Sequence, residues 1–359
     1  MLEKSQIIVH SSKSITYTAF DVKWIPSSPR FVVLGQQPKG EGIIQIFKLS
    51  DGSIKELAKI EKPAAFKCGT FGASSLTTRH FATGDFNGRI SLWDLETLSK
   101  PLMSFKGHDQ IINCIDGVGG QTMNSGPPEI VTGSRDGTVK IWDVRQGDTP
   151  VATLAPEEGA PVVDPWTVAF GNSYNNEDRM LSVGYENGDL KLFDLRSMKL
   201  QYETNLKNGV CSVEFDRKDI KMNKLVVVGL ESKCHLFDLR TFHPKKGYSS
   251  MSQKSNSNNT TGWTVRHLPQ NRDIFMISNG SGTLDLFKYF YPANRVQNDI
   301  EDEKLQVGVM GRLELIQTAT VAEQPVGAFD WSPDKLGLCA FTAFDQTIKV
   351  GMVTRLSGL

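Results

Sequence analysis

The sequence predicts an all-β fold: a seven-bladed β-propeller closed by its own N-terminal strand, with residues 1–359 forming one domain. Three observations predict it. One phrase recurs along the chain, a short strand precedes each copy, and no stretch sustains a helical period.

The phrase is a small polar residue, Gly, two or three turn residues, then alternating apolar and polar residues ending in an aromatic and Asp. It runs from Ala82-Thr83-Gly84 to Trp93-Asp94, from Val131-Thr132-Gly133 to Trp142-Asp143, from Ser182-Val183-Gly184 to Phe193-Asp194 and from Val227-Val228-Gly229 to Phe237-Asp238. Weaker copies run from Leu34-Gly35 to Phe47-Lys48, from Ser278-Asn279-Gly280 to Phe287-Lys288 and from Thr342 to Val350. The aromatic ends at Phe47, Trp93, Trp142, Phe193, Phe237 and Phe287 stand 44 to 51 residues apart. A period of about 40–45 residues with loop insertions marks the four-stranded blades of a WD40 propeller.

The preceding strands are Ala19–Pro26, Ala64–Gly72, Ile111–Gly117, Trp166–Gly171, Val210–Asp216, Trp263–Leu268 and Val326–Ser332. Seven inner strands with seven hairpins make seven blades. Alternation at Val139 and Ile141, and at Leu190 and Leu192, fits strands packed between neighbouring blades. The last hairpin, Leu338–Val353, has no outer strand after it, and the alternating segment Gln6–His10 has no inner partner. The N-terminal strand is therefore expected to pair with the final blade, covering an edge open to aggregation.

Composition narrows the function. The chain has 359 residues, enough to bury a large core, and 40 basic side chains against 40 acidic ones. With a pI near 7.0, no nucleic-acid partner is expected, since phosphate binding draws on basic excess. Apolar runs such as Leu225–Leu230 fall far short of the ~18 residues a membrane span needs. Met1–His10 holds no apolar block before a cleavage site, so a cytoplasmic location is expected, with neither membrane association nor secretion. Cys68, Cys114, Cys211, Cys234 and Cys339 are scattered without a Cys-x-x-Cys pair, which reads as reduced, buried thiols. The sequons at Asn258, Asn259 and Asn279 are chance matches in that setting. No self-complementary patch is visible, so a monomer is expected.

One blade carries His108, Thr132, Asp136 and Trp142, the four members of a buried WD-repeat hydrogen-bond relay. A His, an Asp and a Thr resemble a catalytic triad. The repeat positions and the turn dipeptide Asp136-Gly137 favour the structural reading. Each bond is worth about 0.5–1.5 kcal/mol net. No catalytic, metal or cofactor site is expected. The remaining histidines have no metal spacing, and His-Glu-x-x-His, Gly-Lys-Ser/Thr and Gly-x-Ser-x-Gly phrases are missing. Gly117, Gly119 and Gly120 make a loop without strand–turn–helix context. A polar cluster in the central channel would revive an enzyme reading, and an aromatic cage on one face a methyl-lysine reader.

Three arginines stand two positions past an aspartate: Asp143-Val144-Arg145, Asp194-Leu195-Arg196 and Asp238-Leu239-Arg240. Their equivalent positions on consecutive blades place Arg145, Arg196 and Arg240 on one rim. They are either a solvated repeat position that suits Arg or a docking surface for carboxylates. Insertions fall at Gly117–Pro128, Ala155–Pro165 (with Glu157-Glu158), Lys245–Thr261 and Pro292–Met310, the last with the acidic run 299–303. The first and last lie on the arginine rim. The Ser/Asn-rich stretch Ser249–Thr261 and the acidic insert are expected to be mobile, with partner binding as the alternative.

Several longer phrases are specific. They include Lys67-Cys68-Gly69-Thr70-Phe71-Gly72-Ala73, Glu129 to Lys140, and Trp166-Thr167-Val168-Ala169-Phe170-Gly171-Asn172. Asn208 to Ser212, Glu214 to Ile220, Arg266 to Arg272 and Asp330 to Lys335 belong with them. Along nearly the whole chain they resemble the Monad-type WD-repeat family of axonemal dynein assembly factors, departing at Ser249–Thr261 and Asn294–Met310. The resemblance implies a cytoplasmic adaptor of ciliated cells with co-chaperone complex subunits and axonemal dynein chains as partners. The complex would be the prefoldin-like one that contains RuvB-like ATPases and works with Hsp90, and the task dynein-arm preassembly. It also implies a link to apoptosis. Trp142-Asp143-Val144-Arg145 is similar to the motif of substrate receptors for cullin-RING ubiquitin ligases, which gives the rival reading. Association with the cullin adaptor separates the two.

Overall fold

In a computed structural model the chain is a closed ring of seven four-stranded antiparallel sheets. The structure describes residues 4–75, 77–118, 129–175, 177–255, 260–302 and 304–358. The insert at 119–128 and the sequons Asn258 and Asn259 lie outside these residues.

Blades one to six run in chain order from an inner strand at the channel to an outer one at the rim. The inner strands are Thr18–Trp24, Phe66–Thr70, Ile112–Gly117, Pro165–Gly171, Val210–Phe215, Gly262–Leu268 and Val326–Trp331. Each matches an expected segment. The second strands run away from the channel floor and the turns after them, such as the one at Gly137 (φ 82°), return the chain on the opposite face. Side chains of facing sheets interdigitate between blades. Val131, Val139 and Ile141 of blade three, for example, pack with Val168, Phe170 and Val183 of blade four. At the narrow inner end, Gly72 and Gly117 meet back to back; a Cβ on Gly72 would lie 2.5 Å from the Gly117 Cα.

Blade seven takes its outer strand from the start of the chain. Ile7–Ser14 pairs antiparallel with Thr347–Val353, from Ile7 opposite Val353 to Ser14 opposite Thr347. The strand is longer than Gln6–His10 and carries a bulge at His10. Removing residues 1–12 is expected to lower the melting temperature, because it strips a ladder from blade seven and reopens its edge. A deletion variant that melts with the full chain would disprove that role.

Two inserts differ from expectation. Gly247–Lys254 is the outer strand of blade five, paired with Lys233–His243, and not a mobile loop. Its polar residues face water alternately, which made it read as linker. The insert in blade six folds as a hairpin, Val296–Asn298 with Gln306–Gly308, seated on blade five. The structure has a single 3-10 turn, Leu356–Gly358, among the described residues.

Candidate functional site

The relay of blade three is enclosed. His108 Nδ1 lies 3.0 Å from Asp136 Oδ2, and Nε2 lies 2.7 Å from Thr132 Oγ1. The Trp142 indole N–H donates to the same Thr132 oxygen at 2.8 Å. Asp136 also accepts the Asp109 amide at 3.0 Å and the Thr138 amide and hydroxyl at 2.9 and 2.6 Å. Burial alone would raise the Asp136 carboxyl, but the bonds from His108 and Thr138 outweigh it and hold the group well below the usual carboxylate range. The His108 ring has no solvent access, so the arrangement clamps a turn onto the core and presents nothing to a substrate. Blade two repeats its last link, Trp93 Nε1 to Thr83 Oγ1 at 2.9 Å.

The three rim arginines occupy one register. Asp143, Asp194 and Asp238 stand opposite Glu129, Met180 and Lys224, the first residues of their second strands. Their side chains then diverge. Arg145 forks onto its own Asp143 through Nε at 3.0 Å and Nη2 at 2.8 Å, yet stays 64% exposed. In blade four Ser197 Oγ takes the Asp194 carboxylate at 2.8 Å, and Arg196 reaches solvent beside a groove lined by Val151, Leu195 and Met198. Arg240 forks onto Asp238 and is roofed by Tyr291, whose ring centroid lies 4.4 Å from its guanidinium carbon, leaving 17% exposed. Two of the three therefore offer a free surface.

Tyr291 directly follows the third strand of blade six, and the hairpin begins a few residues beyond it. Arg295 donates to the Arg240 carbonyl, and Ser249 Oγ donates to the Gly308 carbonyl at 2.7 Å. Asp299 is buried 2.9 Å from His243 Nε2 and accepts from Lys246 Nζ at 2.8 Å. His243 Nδ1 accepts the amides of Lys245 and Lys246, so the ring proton sits on Nε2, facing the carboxylate. Beside Tyr291, Lys224 is fully buried in an apolar strand. Its Nζ reaches Tyr291 Oη at 2.8 Å, Asp273 Oδ1 at 2.9 Å and Asp216 Oδ2 at 3.4 Å. Arg272 Nε donates to Asp216 at 2.7 Å, closing a network of two cations and two carboxylates across blades five and six.

The channel is the other polar region. On the inner strands of blades one, three, five and seven, an acid accepts a backbone amide from the next blade. Asp21 accepts Gly69 at 3.0 Å, Asp116 accepts Phe170 at 2.9 Å, Glu214 accepts His267, and Asp330 accepts Trp24 at 2.8 Å. Lys23, Lys218 and Arg266 pair with Asp21, Asp116 and Glu214. These carboxylates stitch blades together, and the lone acid after an apolar residue in alternate inner strands is the sequence signal that could have found them. Cys114 and Cys211 are half-buried on the channel wall rather than sealed in the core, and burial pushes both thiols up to about 12.

Enclosure by the channel wall pushes Asp330 up to about 6 from an ordinary 3.8, with Lys23 pulling the other way. Between those values the folded state holds the extra proton, so stability falls as pH rises through that window. Asp330→Asn is expected to flatten that fall. Urea midpoints of both proteins at about pH 4 and pH 6.5 test it; parallel pH profiles would refute it.

A family model described as "WD domain, G-beta repeat" matches residues 99–143, the segment that holds the relay. The chain is 56% identical over 358 residues to "Dynein axonemal assembly factor 10" of Xenopus tropicalis, covering 100% of this chain and 99% of the relative. It is 54% identical over 355 residues to the Homo sapiens protein of that name and 49% identical over 354 residues to that of Chlamydomonas reinhardtii. Each alignment covers 99% of this chain and 98% of the relative.

Proposed function

Because this chain belongs to the dynein axonemal assembly factor 10 family, we propose that it is a non-enzymatic scaffold for the cytoplasmic preassembly of axonemal dynein arms. It binds subunits of the prefoldin-like co-chaperone complex that contains RuvB-like ATPases, and through them or directly binds dynein chains. The observation that carries this reading is the likeness along the whole chain to proteins of that name. The geometry agrees with it: the relay and the channel acids are spent on holding blades together, which leaves rims and faces as the surfaces a partner can use. Among the described residues no helix is long and apolar enough to cross a membrane, and no group of His, Cys, Asp or Glu is placed to hold a metal.

The test is recovery of the tagged protein from ciliated cells with partners identified by mass spectrometry. Co-chaperone subunits together with dynein heavy or intermediate chains are the expected result. A cullin adaptor in their place would overturn it and favour the ligase receptor, for which the exposed Arg145 and Arg196 are the candidate contacts. The double variant Arg145→Ala, Arg196→Ala should leave co-chaperone association intact; loss of a cullin adaptor in that variant would support the rival.

A further inference from the structure

The face opposite the rim arginines carries a crown of large apolar side chains around the channel opening. Phe20, Trp166 and Trp263 open the inner strands of blades one, four and six, while Phe86, Leu230 and Phe344 sit in the turns of blades two, five and seven. Leu230 is 44% exposed and Phe344 45%. The crown is seated rigidly. A Cβ on Gly209 would lie 2.6 Å from the Trp166 ring, and one on Gly327 2.6 Å from the Phe344 ring, so each aromatic lies flat where only glycine leaves room. Trp263 packs edge-on against Phe344 with centroids 5.7 Å apart. The opening leads into a cavity of about 440 Å³ lined by Phe20, Lys67, Trp166, Leu230 and Trp263. A soluble protein seldom leaves such a contiguous apolar patch uncovered.

Charge decides what covers it. Lys23, Lys218 and Arg266 are matched to channel acids, whereas Lys67 has no ion-pair partner among the described residues. Its Nζ lies 4.7 Å over the Phe20 ring, inside the cavity, where burial lowers the ammonium's affinity for its proton. The Tyr185 ring is likewise covered by Lys191 at 5.7 Å. With Lys67 already over Phe20, a further cation, a methylated lysine included, would meet a like charge in the cavity. The Trp263 indole N–H, buried and without an acceptor among the described residues, adds a donor on the same wall.

We propose that this crown docks an extended peptide segment of a partner protein, which places a large apolar side chain among Trp166, Leu230 and Trp263 and a carboxylate on Lys67. The inference rests on the scaffold reading only in treating the disc as a binding module; it fixes the face and the chemistry of the ligand, not the complex. A carboxylate there turns an unmatched, partly desolvated cation into a charge-assisted pair, and the rigid aromatics bind an anchor at little entropic cost.

Selection of displayed random peptides of about a dozen residues on the purified full chain tests it. The enriched peptides are expected to join Asp or Glu to Trp, Phe or Leu a few residues away. Fluorescence anisotropy of an enriched peptide should weaken roughly tenfold or more with Lys67→Met and with Trp263→Ala. It should be restored by Lys67→Arg and be unchanged by Arg196→Ala. Matching circular dichroism spectra and melting curves establish that the variants are folded. Enrichment of peptides without an acid, equal binding to Lys67→Met, or no enrichment at all would overturn the proposal. Because the selection uses the isolated protein, failure of the cellular recovery described above leaves this result standing, and the converse holds.

Discussion

Trp142→Ala is expected to destabilise the protein by about 3–5 kcal/mol, the largest loss from any single aromatic truncation of the relay. The indole is 1% exposed, with Phe105 5.1 Å away by ring centroid and the Lys140 ammonium 5.9 Å over its ring. It fills the joint of blades two and three among Ile90, Ile112 and Ile130, and rigid strands on both sides cannot collapse into the space. Trp142→Phe keeps most of the volume and loses the bond to Thr132, worth about 1 kcal/mol. Urea unfolding of the two variants separates cavity from hydrogen bond. Equal losses would show that the bond, and not the packing, dominates.

Lys224→Met should cost a comparable ~3–5 kcal/mol for a different reason. The side chain is apolar enough to fill the space, but Asp216 and Asp273 would keep two negative charges against the single guanidinium of Arg272. Breaking one side of a buried ionic cluster leaves charge that neither water nor protein compensates. Adding Asp273→Asn restores neutrality, so the double variant should regain part of the loss, measured as a coupling in urea unfolding. Strict additivity of the two substitutions would contradict the network account.

The two predictions also mark what the sequence could and could not convey. The Trp142 relay was legible because its four members stand at fixed WD-repeat places within one blade. Repetition likewise yielded blade number, inner strands and the closing strand, since period-2 alternation survives in every copy. The Lys224 network was not legible. Two of its partners, Asp273 and Tyr291, stand 49 and 67 residues away, and a lysine opening the apolar run Lys224–Gly229 looks like a solvent-facing start. Polarity misled in the opposite sense for Gly247–Lys254, an outer strand whose composition matches a linker. The three rim arginines share one register but differ in accessibility. Whether a guanidinium is free depends on neighbours such as Ser197 and Tyr291, and no local pattern encodes Tyr291 over Arg240.

The alternating carboxylate stitches have a consequence for how the ring breathes. An alternation of every second blade cannot close evenly on an odd number, so two stitches fall in succession: Asp330 to blade one, then Asp21 to blade two. Both stitches flank blade one, next to blade seven, where the first and last strands close the ring through a backbone ladder before residues 15–17 carry the chain into blade one. The doubled fastening therefore lies beside the blade whose closure depends on strand pairing and not on a covalent hairpin. Thr167 also accepts the Val213 amide between blades four and five, and the Trp331 indole donates to the Arg266 carbonyl between blades six and seven. Transient opening should therefore start between blades two and three, and amide hydrogen exchange on the blade-three inner strand should outpace exchange at the seam. A ring with an odd number of sectors thus moves its compliance away from its own ends.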